Sequence, residues 1–399
     1  MFSIGMKLTA QIYLLPDSAQ QTALKRTLVA ANAACNSLSQ NAFDAGTFNT
    51  FDIHRAFYSQ TRAAFGLGSQ CIIRCIAKVA DAYKTQRAQL RTYNLACAPQ
   101  QQRTLTPITF KALSALPFDC RNLTYKQADQ RVSIWTIEGR MTIPYIISEH
   151  HAALMTHQKG ESDLVFTNGR WFLRASCEVP IDPPLEPSDA LGIDLGIVNI
   201  ATDSDGTIFS GAEVEARRQR FSARRAALQS VGTRSSRRHL KRLSRKQRRY
   251  QSNTNHVIAK AVVEKAKASR RAIVLEDLTG ISKNVRATEK RLRSSQRSRH
   301  SNWSFHQLRR FISYKAERSG VPVVIVDAAY TSRTCSECGH CEKGNRRSQS
   351  EFVCRKCSLE LHADINAART IRNRGSVNMP MVATPCRGQL QATAFGGGR

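Results

Sequence analysis

Three carboxylates in three separate segments of the chain could together bind metal. Asp194 lies in LGIDLGIVNIAT, Glu276 in AIVLEDLTG and Asp364 in LHADINAARTI. The first two lie at apolar, strand-like segments and the third opens a predicted helix. An acid among apolar residues is costly to bury unless it is paired or binds a cation. Two Mg²⁺ ions roughly 3.5–4 Å apart, held by carboxylates, can activate a water and stabilise a leaving oxygen. The pattern therefore predicts a two-metal Mg²⁺ phosphodiesterase site with these three acids as its catalytic ligands.

Two neighbouring acids leave alternatives open. Asp277 follows Glu276 directly and could replace it, although successive residues of a strand point to opposite faces. Asp327 follows the apolar run VPVVIV and is a possible fourth acid, for which we favour a structural role. Any one of these acids alone is typical of an N-cap or a salt bridge. The hypothesis of a nuclease site therefore depends on the three acids occurring together.

Four cysteines just before the last of these acids have the spacing of a zinc site. CSEC and CRKC give the pattern C-x2-C-x15-C-x2-C, in which each pair aims two thiolates at one tetrahedral Zn²⁺. Four thiolates leave no open coordination position, so we predict a structural zinc ribbon. Cys341 and His340 lie beside the first pair and could in principle substitute, but we expect them not to bind the metal. The predicted zinc ligands are Cys335, Cys338, Cys354 and Cys357.

The chain is strongly cationic, which indicates a polyanionic partner. Lys and Arg number 60 against 30 Asp and Glu, a formal net charge of +30. Such an excess favours nucleic acid as a partner, although a ribosomal or chromatin protein could be as basic. Residues 217–249 hold 14 Lys and Arg and no acid, and a second basic run covers 286–299. The residues predicted to contact phosphates are Arg217, Arg218, Arg224, Arg225, Arg237, Arg238, Lys241, Arg242, Arg245, Lys246, Arg248 and Arg249.

The cysteine content also bears on the cellular compartment. The N-terminus lacks a basic segment followed by a long apolar run, and no apolar stretch of 18 residues occurs in the sequence. We therefore expect a cytoplasmic protein with reduced thiols and no membrane partner. In that setting, paired C-x2-C motifs favour metal binding over disulfides.

The elements that must position these residues fall into several modules, so the predicted class is α/β combined with β-barrel and helical modules. A strand over 6–15 is followed by helices over 17–43, 53–65 and 69–94, and the first helix begins with a capping-box pattern at Ser18 and Gln21. Short β-branched and aromatic runs then predict a small antiparallel barrel. Later apolar strands alternating with helices predict an α/β sheet domain. The predicted boundaries are 1–16 and 100–182 for the barrel, 17–99 for the helical module, 183–330 and 358–375 for the nuclease domain, 331–357 for the zinc ribbon, and 376–399 for a disordered tail.

The order and spacing of the motifs resemble a known family. LGIDLG, LEDL, YTSRTCSECGH and HADINAAR resemble TnpB, the transposon-encoded relative of the type V CRISPR effectors. The resemblance covers about residues 1–375 and is most specific over 331–372. It implies a wedge-type β-barrel interrupted by a helical recognition module. It also implies a RuvC-like nuclease domain of RNase H fold with an inserted zinc ribbon that binds target nucleic acid.

The resemblance also implies a function. The three acids take the acidic RuvC positions, and the protein cleaves double-stranded DNA with Mg²⁺ in the prokaryotic cytoplasm, at the nucleoid. The resemblance further implies that a guide RNA from the transposon end selects the target and that the protein recognises a short adjacent motif. The alternatives are a compact type V CRISPR effector, a guide-dependent DNA-binding regulator without cleavage, and a transposase that joins strands. Fold alone does not separate these activities.

Overall fold

The structure is a computed structural model that describes residues 5–278 and 305–377. The chain divides into two compact units, residues 1–180 and 181–399. The predicted basic run 286–299 and residues 378–399 of the predicted tail lie outside the described residues. The tail was predicted to begin at 376, but the last helix continues to Val377.

The first unit is built on a seven-stranded antiparallel sheet with the order β2-β6-β7-β1-β5-β4-β3. Along β7 every second residue is buried, as expected for a sheet with one face on a core. The strands are β1 (Gly5–Leu14), β2 (Leu116–Phe118), β3 (Leu123–Lys126), β4 (Arg131–Thr136), β5 (Gly139–Ile146), β6 (Gln158–Thr167) and β7 (Arg170–Pro180).

This sheet curls into a nearly closed barrel. Its two edge strands, β2 and β3, follow one another in the chain, with only residues 119–122 between them. Tyr125 on β3 contacts Ser162 on β6 through their hydroxyl oxygens at 2.9 Å, and Ser162 is the register partner of Phe118 on β2. The two edges of the sheet therefore meet on one side of the barrel.

Three helices are inserted between β1 and β2. Asp17 is the N-cap of the first, and its side chain and that of Gln20 form a reciprocal capping box. The box predicted from Ser18 and Gln21 was therefore one residue too late. The helices are α1 (Ser18–Asp44), α2 (Thr50–Phe65) and α3 (Ser69–Leu95), with a 3-10 turn at Pro99–Gln101 and a short helix α4 (Glu149–Met155) before β6.

The second unit contains a mixed five-stranded sheet with the order β10-β9-β8-β11-β12. β8 is antiparallel to β9 and parallel to β11, which is parallel to β12. Parallel strands bring their carboxyl ends to the same edge of the sheet. The strands are β8 (Asp189–Asp194), β9 (Asn199–Asp203), β10 (Ile208–Ser210), β11 (Arg271–Asp277) and β12 (Val323–Asp327).

Helices cover both faces of this sheet. One face, with Ile193 and Leu275, forms a core with α6 and α7, whereas the other, with Val274, packs against Ile371 of the last helix. The helices are α5 (Ala212–Val231), α6 (Arg234–Ala268), α7 (Phe305–Arg318) and α8 (Ala363–Val377). None of the helices described within 5–278 and 305–377 is long and apolar enough to cross a membrane.

A small cysteine-containing module lies between β12 and α8. It has a 3-10 turn at Lys343–Asn345 and a hairpin of β13 (Glu351–Val353) and β14 (Glu360–His362). Its buried residues include Cys335, Cys354 and Phe352. So small a core needs additional stabilisation, which a structural metal can provide.

Candidate active site and metal centre

Two of the predicted acids lie at the carboxyl ends of adjacent parallel strands. Asp194 is the last residue of β8, and Glu276 is the last but one of β11. The register pairs Leu275 with Ile193, so Glu276 and Asp194 occupy the next row of the sheet. Because side chains alternate along a strand, both acids point away from the core of Leu275 and Ile193. They therefore face the side covered by α8.

The third acid is brought to this side by the close packing of α8. Asp364 is in the first turn of α8 and is buried. The helix packs against the sheet at two glycines. A Cβ at Gly192 would overlap the carbonyl oxygen of Ala368, and a Cβ at Gly375 would overlap the side chain of Val274. The absence of these side chains lets the helix backbone lie directly on β8 and β11.

The charges of the other two acids act on Asp194. Burial, then the negative charges of Glu276 and Asp364, raise the pKa of Asp194 to about 8, and Arg346 opposes this rise. Buried carboxylates that repel one another stay ionised only when a cation compensates them. We call Asp194, Glu276 and Asp364 the acid pocket. Its donor atoms are carboxylate oxygens, which are the ligands that Mg²⁺ prefers.

Glu276 is held by a neighbour that the sequence did not indicate. It is 8% exposed and accepts a hydrogen bond from the hydroxyl of Thr331. Burial raises its pKa, and the bond from Thr331 acts in the opposite direction. The alternative acid, Asp277, lies on the other face of the strand, where its carboxylate pairs with Arg309 at 2.9 Å.

Asp364 has two partners that sequence analysis also missed. The side-chain amide of Asn199 donates to Oδ2 of Asp364 at 2.8 Å, and Nη2 of Arg346 is 3.3 Å from Oδ1. Asn199 begins β9, and Arg346 belongs to the cysteine module. Asn199 lies within the same LGIDLGIVNIAT segment as Asp194, which was the one available signal. No signal in the sequence indicated Arg346.

Asp327, the possible fourth acid, ends β12 and caps the turn that follows. Its Oδ1 accepts a hydrogen bond from the amide of Ala329 at 3.0 Å. In the sheet register it is the partner of Asp277, and its charge contributes to raising the pKa of Glu276. Its contacts are those of a structural residue near the acid pocket.

The four predicted zinc ligands converge. Their sulfur atoms all lie within 4.8 Å of one another, with Cys335 Sγ 3.6 Å from Cys357 Sγ and Cys338 Sγ 3.5 Å from Cys354 Sγ. A tetrahedral Zn²⁺ with Zn–S bonds of about 2.3 Å places its sulfurs about 3.8 Å apart, so the cluster fits a zinc ion. A disulfide would need about 2.05 Å. The three carboxylates do not form a cluster as tight as this one.

Local geometry favours the thiolate at one of the four cysteines. Burial alone would raise the pKa of Cys354, but the backbone amides of Cys357 and Lys356, together with the side chains of Cys357 and Cys338, outweigh it and hold that pKa at about 6. Burial contributes to raising the pKa values of Cys335 and Cys357. Thiolate is the form that binds zinc. Cys341 lies outside the cluster, and the ring of His340 contacts the carboxylate of Glu342 at 3.2 Å.

The predicted phosphate-binding residues lie on α5 and α6, which contact each other as neighbouring helices. The acid-free stretch was counted from residue 217, so the count left out two acids that lie just upstream. Arg218 pairs with Glu215 at 2.7 Å, and Arg217 lies 3.5 Å from Glu213. Arg225 is half-buried and donates to Gln247. The exposed members of the predicted set are Arg224, Arg237, Arg238, Lys241, Arg242, Arg245, Lys246, Arg248 and Arg249.

Two family models match this chain. OrfB_IS605, described as "Probable transposase", matches residues 174–280, and "Cas12f1-like, TNB domain" matches residues 305–371. The first range contains Asp194 and Glu276. The second contains Asp364 and the whole cysteine cluster. The two models therefore cover both candidate sites.

Curated relatives carry consistent names. The chain is 33% identical over 220 residues to "CRISPR-associated endodeoxyribonuclease Cas12f1" of Sulfoacidibacillus thermotolerans, covering 51% of this chain and 50% of that protein. It is 30% identical to "Putative RNA-guided DNA endonuclease InsQ" of Escherichia coli (strain K12), covering 52% and 54%. It is 31% identical to "TnpB-like protein MJ0751" of Methanocaldococcus jannaschii, covering 32% and 44%. The chain thus spans about half the length of the curated relatives it matches.

Solved structures share the fold. CasPhi-2 (Cas12j) bound to crRNA matches with a TM-score of 0.53 at 11% identity, covering 92% of this chain and 98% of that one. The mini-RNA-guided endonuclease CRISPR-Cas_phi3 matches with a TM-score of 0.51 at 12% identity, covering 94% and 92%. The predicted fold class is therefore confirmed. The two family models and the named relatives confirm that the chain resembles the TnpB family and its Cas12f1 relatives.

Proposed function

We propose that the chain is an RNA-guided DNA endonuclease of a transposable element with a single RuvC-like, Mg²⁺-dependent site. The observation that carries the proposal is the meeting of three distant acids on one side of the sheet. Asp194 and Glu276 occupy one row at the strand ends, and Asp364 begins the helix packed on that side. The names of the relatives support nucleic-acid cleavage.

Asp194, Glu276 and Asp364 would hold the Mg²⁺. When bound, the metal supplies an activated water and stabilises the departing oxygen of a phosphodiester. The residues around the acids position them. Asn199 and Arg346 fix the two oxygens of Asp364. The carboxylate geometry is therefore set before substrate arrives, which lowers the cost of reorganisation during the reaction.

The helical pair α5–α6 supports nucleic-acid binding in this proposal. Most of its predicted cations are exposed, and the upstream acids Glu213 and Glu215 pair with Arg217 and Arg218. Such a surface binds phosphates without reading sequence and makes binding depend steeply on salt. A guide RNA from the transposon end would supply the target sequence by base pairing, and the protein would read a short motif in the adjacent DNA duplex.

The module boundaries predicted from the sequence belong to the same proposal. The barrel (1–16 and 100–182) and the helical module (17–99) would hold the guide and the adjacent motif. The nuclease domain (183–330 and 358–375) would cut at the nucleoid, in the prokaryotic cytoplasm. The cysteine module (331–357) would bind structural zinc and contact the target nucleic acid.

The proposal is tested by expressing the protein with its native flanking DNA and sequencing the RNA that co-purifies. We expect a discrete RNA that runs past the end of the element. With that RNA and Mg²⁺, a plasmid carrying the matching target should be cut. Asp194→Ala should abolish cleavage and leave RNA and target binding nearly intact. Heterogeneous RNA that is removed by salt would contradict guided recognition.

A compact type V CRISPR effector is the second candidate, because a Cas12f1-like TNB domain matches residues 305–371. The chemistry would be the same, so genomic context separates the two. A neighbouring repeat array would favour the CRISPR effector, whereas a transposon end would favour the first proposal. A regulator would bind the guided target and leave the plasmid intact even with Mg²⁺.

A further inference from the structure

The cysteine module is continuous with the helix that carries the third acid. Strand β14 ends at His362 and α8 begins at the next residue, Ala363. The amide of Ala363 donates to the carbonyl of Ser350 within the module at 2.9 Å. On the other side of the module, Thr331 contacts Glu276. The chain therefore both enters and leaves the cysteine module beside the acid pocket.

One buried side chain joins α8 to the first pair of cysteines. Asn366 is fully buried. Its Oδ1 accepts a hydrogen bond from the amide of Ser336 at 3.0 Å, and its Nδ2 donates to the carbonyl of Thr334 at 2.8 Å. These two backbone groups flank Cys335, a predicted zinc ligand. Asparagine offers a donor and an acceptor on one planar group, so it can hold both at once.

Two further residues of α8 bind the same loop. Thr370 Oγ1 lies 3.2 Å from the carbonyl of Thr334, and Asn373 Nδ2 donates to the carbonyl of Ser336 at 2.7 Å. Asn373 is exposed, so its bond competes with water, whereas Asn366 is fully enclosed. A buried polar group left without its partner is more costly than an exposed one. Asn366 makes two buried bonds to the loop and Thr370 makes one longer one, so Asn366 is the dominant connection between the helix and the loop.

Asn366 and Asp364 lie on different sides of α8. Residues two apart in an α-helix are separated by about 200° around its axis. Asp364 consequently reaches the acid pocket while Asn366 reaches the cysteine loop. Any shift of the helix that frees Asn366 from the loop also moves Asp364.

We propose that Asn366 is a positioning residue that links zinc binding at the four cysteines to the placement of Asp364. Zinc fixes the loop around Cys335, and the fixed loop holds Asn366 and hence the first turns of α8. By thermodynamic reciprocity, a firmly docked α8 strengthens zinc binding by the same factor. This inference rests on the proposed zinc site and requires no assumption about guide RNA or cleavage.

The native protein provides the first test. Zinc content is measured by atomic absorption, and amide hydrogen exchange of residues 363–377 is followed with zinc bound and after removal by a chelator. We expect one zinc per chain and at least about tenfold faster exchange in α8 after removal. Exchange in β1, in the other unit, should stay unchanged and serves as the internal control. Unchanged exchange in α8 would overturn the proposal.

Variants provide the second test through zinc affinity, measured by competition with a chromophoric chelator. Asn366→Ala removes both buried bonds and should weaken zinc binding at least about tenfold. Asn366→Asp keeps the acceptor for Ser336 but sets a carboxylate oxygen against the carbonyl of Thr334, so it should weaken zinc binding at least as much as Asn366→Ala. Asn373→Ala, the matched control on the same helix, should change the affinity less than about threefold.

The outcomes separate the proposals from one another. Native protein without zinc would refute the zinc site itself, whereas zinc binding unaffected by Asn366→Ala would refute only the coupling. If Asn366→Ala does not fold, the exchange experiment on the native protein still tests the coupling. Failure to cleave DNA would bear on the nuclease proposal and leave the zinc affinities interpretable.

Discussion

The cysteine cluster and the acid pocket differ in how much of the chain each requires. The four cysteines lie between residues 335 and 357, within one small module. The three acids lie between residues 194 and 364, on two strands and a helix. Local turns assemble the first site, whereas tertiary packing assembles the second. The cysteine cluster should therefore keep its zinc after distant changes that destroy the acid pocket, even where the coupling through Asn366 lowers the affinity.

The largest expected effect is at the cluster itself. Cys354→Ser removes one of four thiolates, and structural zinc is bound with apparent free energies of about 10–16 kcal/mol. We expect the variant to lose its zinc to a chelator that the native protein resists. Cys341→Ser, at an exposed cysteine outside the cluster, should retain the metal. Loss of zinc from Cys341→Ser alone would show that the ligand set is wrong.

The next prediction separates the two sites. Gly192→Ala places a methyl group against the backbone of α8, and overpacking of this kind costs about 1–3 kcal/mol or more. Because α8 carries Asp364, we expect cleavage to fall at least about a hundredfold. Zinc content should remain at one per chain. Normal cleavage in this variant would contradict the claim that close packing of α8 builds the pocket.

Arg346 connects the two sites, because it belongs to the cysteine module and contacts Asp364. Arg346→Ala removes a charge-assisted contact worth about 1.5–3 kcal/mol, so cleavage should fall roughly 10- to 100-fold with zinc retained. The neighbouring Arg347 pairs with Glu351 at 3.5 Å and is exposed. Arg347→Ala is thus the matched control and should cleave normally. Equal losses in both variants would indicate a general charge effect.

The smallest expected effect is at Thr331. Thr331→Val keeps the shape and removes the hydroxyl that donates to Glu276. Loss of one hydrogen bond of about 1 kcal/mol should slow cleavage roughly fivefold. Thr331→Ser retains the hydroxyl and should restore most of the rate. If the serine variant is as slow as the valine variant, the hydroxyl does not position Glu276.

The same difference between the sites explains what the sequence could predict. The cysteine spacing is local, so the four ligands and their convergence were predictable from Cys335 to Cys357. Strand-end acids were also predictable as candidates, because apolar runs mark buried strands. Asn199 and Arg346 were not, since tertiary structure alone sets which of many polar side chains meets Asp364. The need for glycine at position 192 likewise follows only from the packing of α8 against it, which the sequence does not reveal.

Smaller errors have local causes. The capping box was predicted at Ser18 and Gln21, but the structure forms it one residue earlier, at Asp17 and Gln20, and both positions fit the pattern. The basic stretch was counted from Arg217, which left out Glu213 and Glu215 one helical turn upstream. On a helix, residues three and four positions apart are neighbours. Acids that can pair with a basic stretch must therefore be counted up to four residues beyond each of its ends.

We propose that the acids on the α8 side of the sheet form the catalytic site, and two adjacent residues of β11, on opposite faces, distinguish that side from the other. Cleavage rates of a guided plasmid target would be compared for Glu276→Gln and Asp277→Asn, which each remove one charge without changing shape. We predict a loss of at least about a thousandfold for Glu276→Gln and less than about threefold for Asp277→Asn. The reverse order, or equal losses, would show that the catalytic site does not lie on the α8 side of the sheet.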